Sequence, residues 1–202
     1  MIGAEDRERL VEAIREAEAR TAGEIVVVVA RQASGYRSVP ILWAMLAALA
    51  VPWPLIAITT LGAPRIALVQ LLVALTLSMV LSLPKRRYRL VPGFIKRGRA
   101  HEAALREFVA RGLTRTRERT GVLIYVAAAE HYAEILADTG ISDHVDERVW
   151  RDAIDDLIEA IKAGRPADGL IAAVRRVGAV LAEHAPPRLD DADELPNRVI
   201  LV

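Results

Sequence analysis

Residues 38–84 read SVPILWAMLAALAVPWPLIAITTLGAPRIALVQLLVALTLSMVLSLP, and their one ionisable side chain is Arg65. A helix rises ~1.5 Å per residue and a bilayer core is roughly 30 Å thick, so about 20 apolar residues span it. Val39–Leu61 and Ile66–Leu83 each approach that length, and residues 62–65 (GAPR) suit a tight turn between them. The stretch therefore predicts an inserted two-helix transmembrane hairpin, with the lipid bilayer as its partner.

Two prolines interrupt the first span. Pro52 and Pro54 each lack a backbone donor, and a proline inside a helix kinks it, so we expect a break near Trp53. Kinked spans persist where neighbouring groups satisfy the freed carbonyls. The alternative is a pair of buried helices in a soluble protein. That reading is disfavoured because helices that are apolar all round would need a far larger protein to enclose them.

Basic residues flank the hairpin on both sides. Arg31 and Arg37 precede the first span, whereas the turn offers only Arg65. Four cations follow the second span: Lys85, Arg86, Arg87 and Arg89. By the positive-inside rule, both ends then stay in the cytoplasm and the turn faces outward. Because the Arg- and Ala-rich usage indicates a GC-rich bacterial genome, we expect a multi-pass protein of the bacterial cell (inner) membrane with both termini cytoplasmic.

Outside the hairpin, one pattern occurs twice: a charged helix, a Thr/Gly break and an aliphatic strand. The unbroken β-branched runs predict strands that are covered on both faces. Two such strands are expected to be neighbours in one sheet. The first unit comprises residues 5–20, Thr21-Ala-Gly and Glu24–Ala30; the second runs from about Arg99 through Thr120-Gly121 to Val122–Ala127.

The remaining chain completes a small α/β domain. His131–Asp138 alternates loosely and predicts a third strand, and two apolar stripes at helical spacing follow, ended by Gly164/Pro166 and by Pro186-Pro187. The fold class is therefore α/β, a small central sheet flanked by helices and interrupted by the hairpin. Residues 1–36 and 85–185 form the two parts of the domain, 37–84 the hairpin, and 186–202 a tail whose end adds to a sheet edge or contacts lipid.

The composition of the chain excludes several classes of function. A net charge of +1 gives no general attraction to nucleic acid, and the absence of cysteine excludes thiol catalysis and thiolate metal sites. No Walker loop or dinucleotide glycine fingerprint occurs, so no nucleotide cofactor is expected. The histidines are scattered without a metal-binding pair. Only His131 and His144 gain interest, because they flank an acidic segment.

That acidic segment follows two predicted strands and carries Glu130, Asp138, Asp143, Asp146 and Glu147. Open α/β sheets bind ligands beyond their strand ends, and Ca²⁺ or Mg²⁺ prefers carboxylate oxygens. The five acids are therefore candidate metal ligands, and a metal there could polarise a phosphate ester. The structural alternative is that Ser142 or Asp143 caps the next helix while Asp146 and Glu147 favour its positive end.

Several short stretches of the sequence resemble the TPM domain family. The resemblance is carried by residues 21–28 (TAGEIVVV), 120–127 (TGVLIYVA), 137–143 (ADTGISD) and 163–169 (AGRPADG), and by the sequence around Trp150. It implies the α/β fold and two kinds of role, since the family includes a phosphatase and a photosystem repair protein. Many members have Asp-Arg after the second strand and Gly-x-Gly before the acidic loop. Here those places read Glu130-His131 and Asp138-Thr139-Gly140.

Two functions follow as hypotheses. The first is a membrane-anchored interaction, assembly or repair factor that holds another membrane protein. The second is a metal-assisted phosphatase at the membrane surface. The departures from the family pattern and the absence of a convincing nucleophile favour the first.

Overall fold

The structure is a computed structural model that describes residues 3–36, 38–83, 91–187, 195–196 and 199–202. Arg37, the basic flank Lys85–Arg89 and the acidic part of the predicted tail lie outside the described residues. The chain forms two compact units, Met1–Ala33 with Arg99–Val202, and Ser34–Gly98. The described helices are α1 (Ala4–Glu18), α2 (Ser38–Ala50), α3 (Pro52–Ile58), α4 (Ala63–Leu81), α5 (Gly93–Ala110), α6 (Thr139–Ser142), α7 (Glu147–Lys162) and α8 (Pro166–His184).

Within the described residues, the sheet has four strands: β1 (Glu24–Ala30), β2 (Gly121–Ala127), β3 (Tyr132–Ala137) and β4 (Val199–Leu201). Their order is β3-β2-β1-β4. β1 runs parallel to β2 and to β4, whereas β2 and β3 are antiparallel. The predicted pairing of the two aliphatic strands and the third strand are both confirmed. Two roles were considered for the end of the chain, a sheet edge or a lipid contact. The structure shows the sheet edge, since β4 pairs with β1.

Both faces of this sheet are covered, which explains why β1 and β2 are apolar without alternation. One face packs on α1, α7 and α8 through a core that includes Leu10, Ile124 and Val174. The other face packs on α5 and includes Tyr125 and Phe108. Burying each large apolar side chain contributes roughly 1.5–3 kcal/mol relative to exposure. The two layers together therefore account for the mixed α/β fold that the sequence predicts.

The two Thr/Gly breaks meet at the amino ends of β1 and β2. The Thr120 hydroxyl donates to the Ala22 carbonyl (3.2 Å), and the Thr21 hydroxyl donates to the Ala185 carbonyl at the end of α8 (2.6 Å). The Glu18 carboxylate accepts the Ile25 amide (2.8 Å) and so joins the end of α1 to β1. Each break thus satisfies buried backbone groups where the chain turns from helix to strand.

The second unit contains the two apolar helices, whose bounds differ from the prediction. They extend over Ser38–Ile58, with α2 and α3 in succession, and over Ala63–Leu81. The break lies at Val51, immediately before Pro52, because Pro52 begins α3 in the first turn, where a missing N–H costs nothing. The predicted turn is also corrected. Pro64 lies in the first turn of α4, so the connection is residues 59–62.

The apolar helices pack on each other along a narrow face. α2 and α4 are in contact, and the buried residues include Ala44, Ala48 and Ile66. Alanines four positions apart leave a smooth helix surface that a second helix can approach closely. Most of the other residues of the two helices are exposed.

Candidate functional site

The acidic segment after β3 is built of helix caps. Asp138 is 6% exposed and caps α6: its Oδ1 accepts the Thr139 amide (2.7 Å) and lies 3.9 Å from Arg119 Nη1. Its Oδ2 is buried, with no hydrogen-bond partner in the described part of the chain. Asp143 follows α6 and accepts the Ser142 hydroxyl (3.4 Å) at the surface. These two acids flank a single helical turn.

The next two acids belong to the start of α7. Asp146 is its N-cap, and its Oδ1 accepts the Arg148 amide (2.8 Å). Glu147 lies in the exposed first turn and approaches Arg151 (3.6 Å). The structural alternative therefore needs one correction: Asp146, not Ser142 or Asp143, caps this helix. The carboxylates at the helix start have the favourable position that its dipole gives to anions.

Glu130 lies at the opposite end of the sheet from the other four acids. The turn that contains it follows the carboxyl end of β2, where Glu130 Oε2 accepts the Ala33 amide (3.0 Å). The Asp138 amide instead donates to Gly121 O at the amino end of β2 (2.9 Å). Because β3 runs back along β2, about 20 Å of strand separates the two acids. Glu130 is therefore separated from the other four predicted metal ligands.

We tested whether these residues fit a cation. Among the described residues, which include all five acids, no group of three or more His, Asp or Glu side chains could hold a metal ion. Ca²⁺ takes about six to eight oxygen ligands in proteins. The described residues therefore do not form a site in which three or more of these acids surround one cation.

A polar cluster that the sequence analysis missed lies on the face of the sheet covered by α5. His101 Nδ1 lies 2.8 Å from Glu134 Oε1, and the Tyr132 hydroxyl donates to Glu134 Oε2 (3.0 Å). A carboxylate at Nδ1 orients the imidazole and leaves Nε2 available to solvent or a ligand. The alternation of Tyr132, Glu134 and Leu136 on one strand face was the available signal. His101, in contrast, is brought there only by the packing of α5.

Tyr125 lies beside this cluster. It pairs in register with Glu134 on β3 and is almost fully buried. The pKa of Tyr125 is raised to about 12, mainly by burial and also by the negative charges of Glu130 and Glu107, against the opposing effect of Arg106. The phenol is therefore neutral at physiological pH and can act there as a hydrogen-bonding group only.

Glu130 connects the turn after β2 to the chain after β1. Its Oε2 accepts the Ala33 amide, while its Oε1 is buried with no hydrogen-bond partner among the described residues. An unsatisfied buried oxygen costs about 1–3 kcal/mol. His131, next in the chain, is exposed and has a φ of 51°, a left-handed conformation that closes the turn. His144 is likewise exposed. Neither histidine joins the acids.

The cleft between α1 and α8 is closed by ion pairs. Arg9 Nη2 lies 3.0 Å from Asp168 Oδ1, and Arg175 Nη2 lies 3.8 Å from Glu16 Oε2. All four side chains are about half exposed, so each pair contributes about 0–1 kcal/mol at most. This cleft therefore has the character of an ordinary helix–helix surface.

The apolar helices present the most unusual surface of the described chain. Trp53, Ile58 and Met79 are 77%, 82% and 78% exposed, and most of the exposed large apolar side chains lie between residues 41 and 83. The share buried in the most apolar window is 11% for Ser38–Ile58 and 0% for Ala63–Leu81. Both helices are long and apolar enough to cross a membrane. A core helix of a soluble protein would be mostly buried instead.

The class of protein is thus a mixed α/β domain whose chain is interrupted after β1 by two apolar helices. Residues 90–180 match the family model of the TPM domain (TPM_phosphatase). This match confirms the predicted family resemblance for residues 90–180. The match begins after the apolar helices, although β1, which precedes them, is an inner strand of the same sheet.

The fold also resembles a solved structure, the NMR structure of the BA42 protein from the psychrophilic bacterium Bizionia argentinensis. The TM-score is 0.62 and the identity 22%, over 100% of this chain and 96% of that chain. At this identity the likeness shows the fold alone. No curated protein matches the chain.

Two glycines in the stretches that carry the family resemblance have steric roles. A Cβ on Gly121 would lie 2.7 Å from the Leu113 carbonyl oxygen, and a Cβ on Gly140 would clash with the Glu118 carbonyl oxygen. Gly140 also donates its amide to Arg119 O (3.0 Å). These residues allow backbone segments to approach closely. Both glycines therefore have a structural role in this chain.

Proposed function

We propose that this protein is a membrane-anchored TPM domain protein whose apolar helices cross the bacterial cell membrane as a hairpin. The observation that carries the proposal is the exposure of both apolar helices on nearly all sides. In water each large apolar side chain left exposed forgoes roughly 1.5–3 kcal/mol of burial. A lipid environment removes that cost, and helices also satisfy their own backbone hydrogen bonds there.

The orientation is a separate prediction. We expect both termini in the cytoplasm and Arg65 outside, because cations flank the two ends of the hairpin and the connection offers one. Reporter fusions after residue 63 and after residue 202 measure this, with a fusion before residue 1 as the matched cytoplasmic control. Translocation of the reporter after residue 202 would contradict the orientation without contradicting insertion.

The role we propose for the α/β domain is an interaction or assembly function that holds another membrane protein. Its support is that the acids of the predicted site have structural partners: Asp138 and Asp146 cap helices, and Glu130 holds the chain after β1. Crosslinking in native membranes, followed by affinity capture of the full chain, tests this role. Recovery of the chain with lipid alone would contradict it.

A metal-assisted phosphatase is the second candidate. It is favoured by the name of the matching family and by the buried Asp138 Oδ2, which has no hydrogen-bond partner within the described residues. If the loop binds a divalent cation, adding Ca²⁺ or Mg²⁺ raises the melting temperature by mass action. We expect a small increase or none, and no robust turnover of a phosphate ester.

The decisive variant is Asp138→Asn with Asp143→Asn. Asn caps a helix nearly as well as Asp, so the Asp138 cap of α6 persists while ligand charge is lost at both positions. Under the structural interpretation, neither metal raises the melting temperature of the wild type or of the double variant. Metal-dependent hydrolysis that is lost in the double variant would instead show that the protein is a phosphatase.

A further inference from the structure

The first two turns of α5 form a surface that neither the fold nor the polar cluster uses. Phe94 is 74% exposed, and Arg97 and Gly98 are also exposed. Lys96 and Arg97 have no ion-pair partner among the described residues, whereas Arg99 pairs with Glu102 (3.1 Å). We call Phe94–Gly98 the α5 basic surface. It combines an aromatic ring with two cations that no acid of the described chain neutralises.

This surface is also unpacked. A Cβ built on Gly98 would meet no atom within 4 Å, and the same is true of Gly93 at the start of the helix. Gly98 lies four residues after Phe94, so the two positions share a helix face. The buried residues of α5 begin only at Ala100, where the helix packs on the sheet. Residues 93–98 belong instead to the unit that contains the apolar helices.

We propose that the α5 basic surface docks on the anionic phospholipid headgroups of the membrane that the hairpin spans. The inference rests on the proposed membrane anchoring. Three observations carry it: the chain enters α5 shortly after α4 ends at Leu81, the two cations have no acidic partner among the described residues, and Phe94 is exposed beside them. The Phe side chain of an interfacial helix inserts at the boundary between headgroups and acyl chains, and cations are attracted to the negative surface potential.

Topology marking alone does not explain this surface. The positive-inside rule requires cations near the ends of a span, and the Lys85–Arg89 flank already provides them. The positive-inside rule does not require an exposed aromatic side chain on the same helix turns. Lipid docking requires both, and it also orients the first turns of α5 along the membrane surface.

The test uses the full chain, which contains no cysteine. Gly98→Cys, placed in open space, is labelled with an environment-sensitive fluorophore, and the protein is reconstituted in nanodiscs of phosphatidylcholine with or without phosphatidylglycerol. We expect a blue shift of emission only when phosphatidylglycerol is present, and its loss at high salt, which screens surface charges. Glu159→Cys on α7 carries the control label, for which no lipid-dependent shift is expected.

Charge neutralisation gives the second measurement. In the Gly98→Cys background, Lys96→Gln with Arg97→Gln is expected to lower the ratio of lipid-contacting to free label about thirty-fold, since each cation near an anionic surface contributes about five-fold. Lys162→Gln with Arg165→Gln removes the same charge from exposed positions at the end of α7. This matched control is expected to leave the ratio unchanged.

Carbonate extraction distinguishes membrane anchoring by the apolar helices from lipid docking by the α5 basic surface. If the chain resists extraction but the label reports the same environment in both lipid mixtures, docking is wrong and anchoring stands. A chain that carbonate removes overturns both. A photoreactive label at the same cysteine that crosslinks to an acidic protein in native membranes, rather than to lipid, also overturns the lipid inference.

Discussion

At the scale of single residues, Tyr125 is the side chain whose chemistry the fold changes most clearly. It is 1% exposed in the middle of β2, with Glu134 opposite it on β3. Its pKa is raised to about 12, first by burial and then by the negative charge of Glu130. The phenolate form is thus disfavoured by the same packing that joins α5 to the sheet.

This shift predicts a loss of stability at alkaline pH. The folded pKa is raised, so the stabilisation is fully present below the unfolded value of 10.0 and is lost as pH rises through about 12. Two pKa units correspond to at most about 3 kcal/mol. We expect the stability of the wild type to fall more steeply over this range than that of Tyr125→Phe. Denaturant melts at both ends of the range measure it.

The difference absorbance of tyrosinate between wild type and Tyr125→Phe supplies the direct control. It isolates one phenol from the other tyrosines of the chain. Ionisation of this phenol at its ordinary pKa in the folded protein would contradict the assignment.

At the scale of elements, close helix contacts hold the layer of α1, α7 and α8 together. A Cβ on Gly178 of α8 would lie 2.6 Å from the Ala17 Cβ on α1, and a Cβ on Gly169 would lie 2.7 Å from the Ala160 Cβ on α7. Small residues on both sides let the helix backbones approach. The glycines are thus part of the packing of this layer.

The same substitution should therefore have opposite effects in two helices. Gly178→Ala is expected to destabilise the protein by about 1–3 kcal/mol, because the added methyl group overpacks the contact with α1. Gly98→Ala, in open space on α5, is expected to stabilise it by about 0.5–1 kcal/mol, the usual advantage of alanine within a helix. Thermal and denaturant melts of the two variants measure the signs. A stabilising Gly178→Ala would show that α1 and α8 are less closely packed.

At the scale of the whole molecule, the chain before the hairpin completes a domain that mostly follows it. β1 is hydrogen-bonded to β2 on one side and to β4 on the other. α1 packs on α8 across the same layer. Removing the first segment would expose one edge of β2 and leave β4 without its partner strand.

We therefore expect residues 1–36 to be required for folding and the hairpin to be dispensable for it. A chain in which a flexible linker replaces residues 38–84 should be soluble and melt cooperatively, since loop-closure cost grows slowly with loop length. Residues 85–202 alone should not melt cooperatively. Equal cooperative melting of the two would refute the shared sheet.

Local features were accessible from the sequence because they depend on short-range periodicity, length and composition. The apolar helices, the aliphatic strands and the two closing helices follow from such patterns, whereas the TPM resemblance rests on short sequence motifs. The end of the first apolar helix was misplaced by a few residues. Proline at the start of a helix and proline inside one look alike until the backbone is known.

The arrangement of the candidate site was decided by tertiary structure. Strand direction places Glu130 and Asp138 at opposite ends of the sheet, and helix packing brings His101 to Glu134. Neither relation is encoded in spacing along the chain, because residues 33 positions apart meet only if α5 covers that face of the sheet. The amino-acid sequence by itself determined most of the helices, the strands β1 to β3 and the apolar spans, but not α6 or the pairing of β4. Long-range pairing alone decided which of their side chains meet, since strand direction and helix packing depend on the free energy of the whole fold rather than on any one segment.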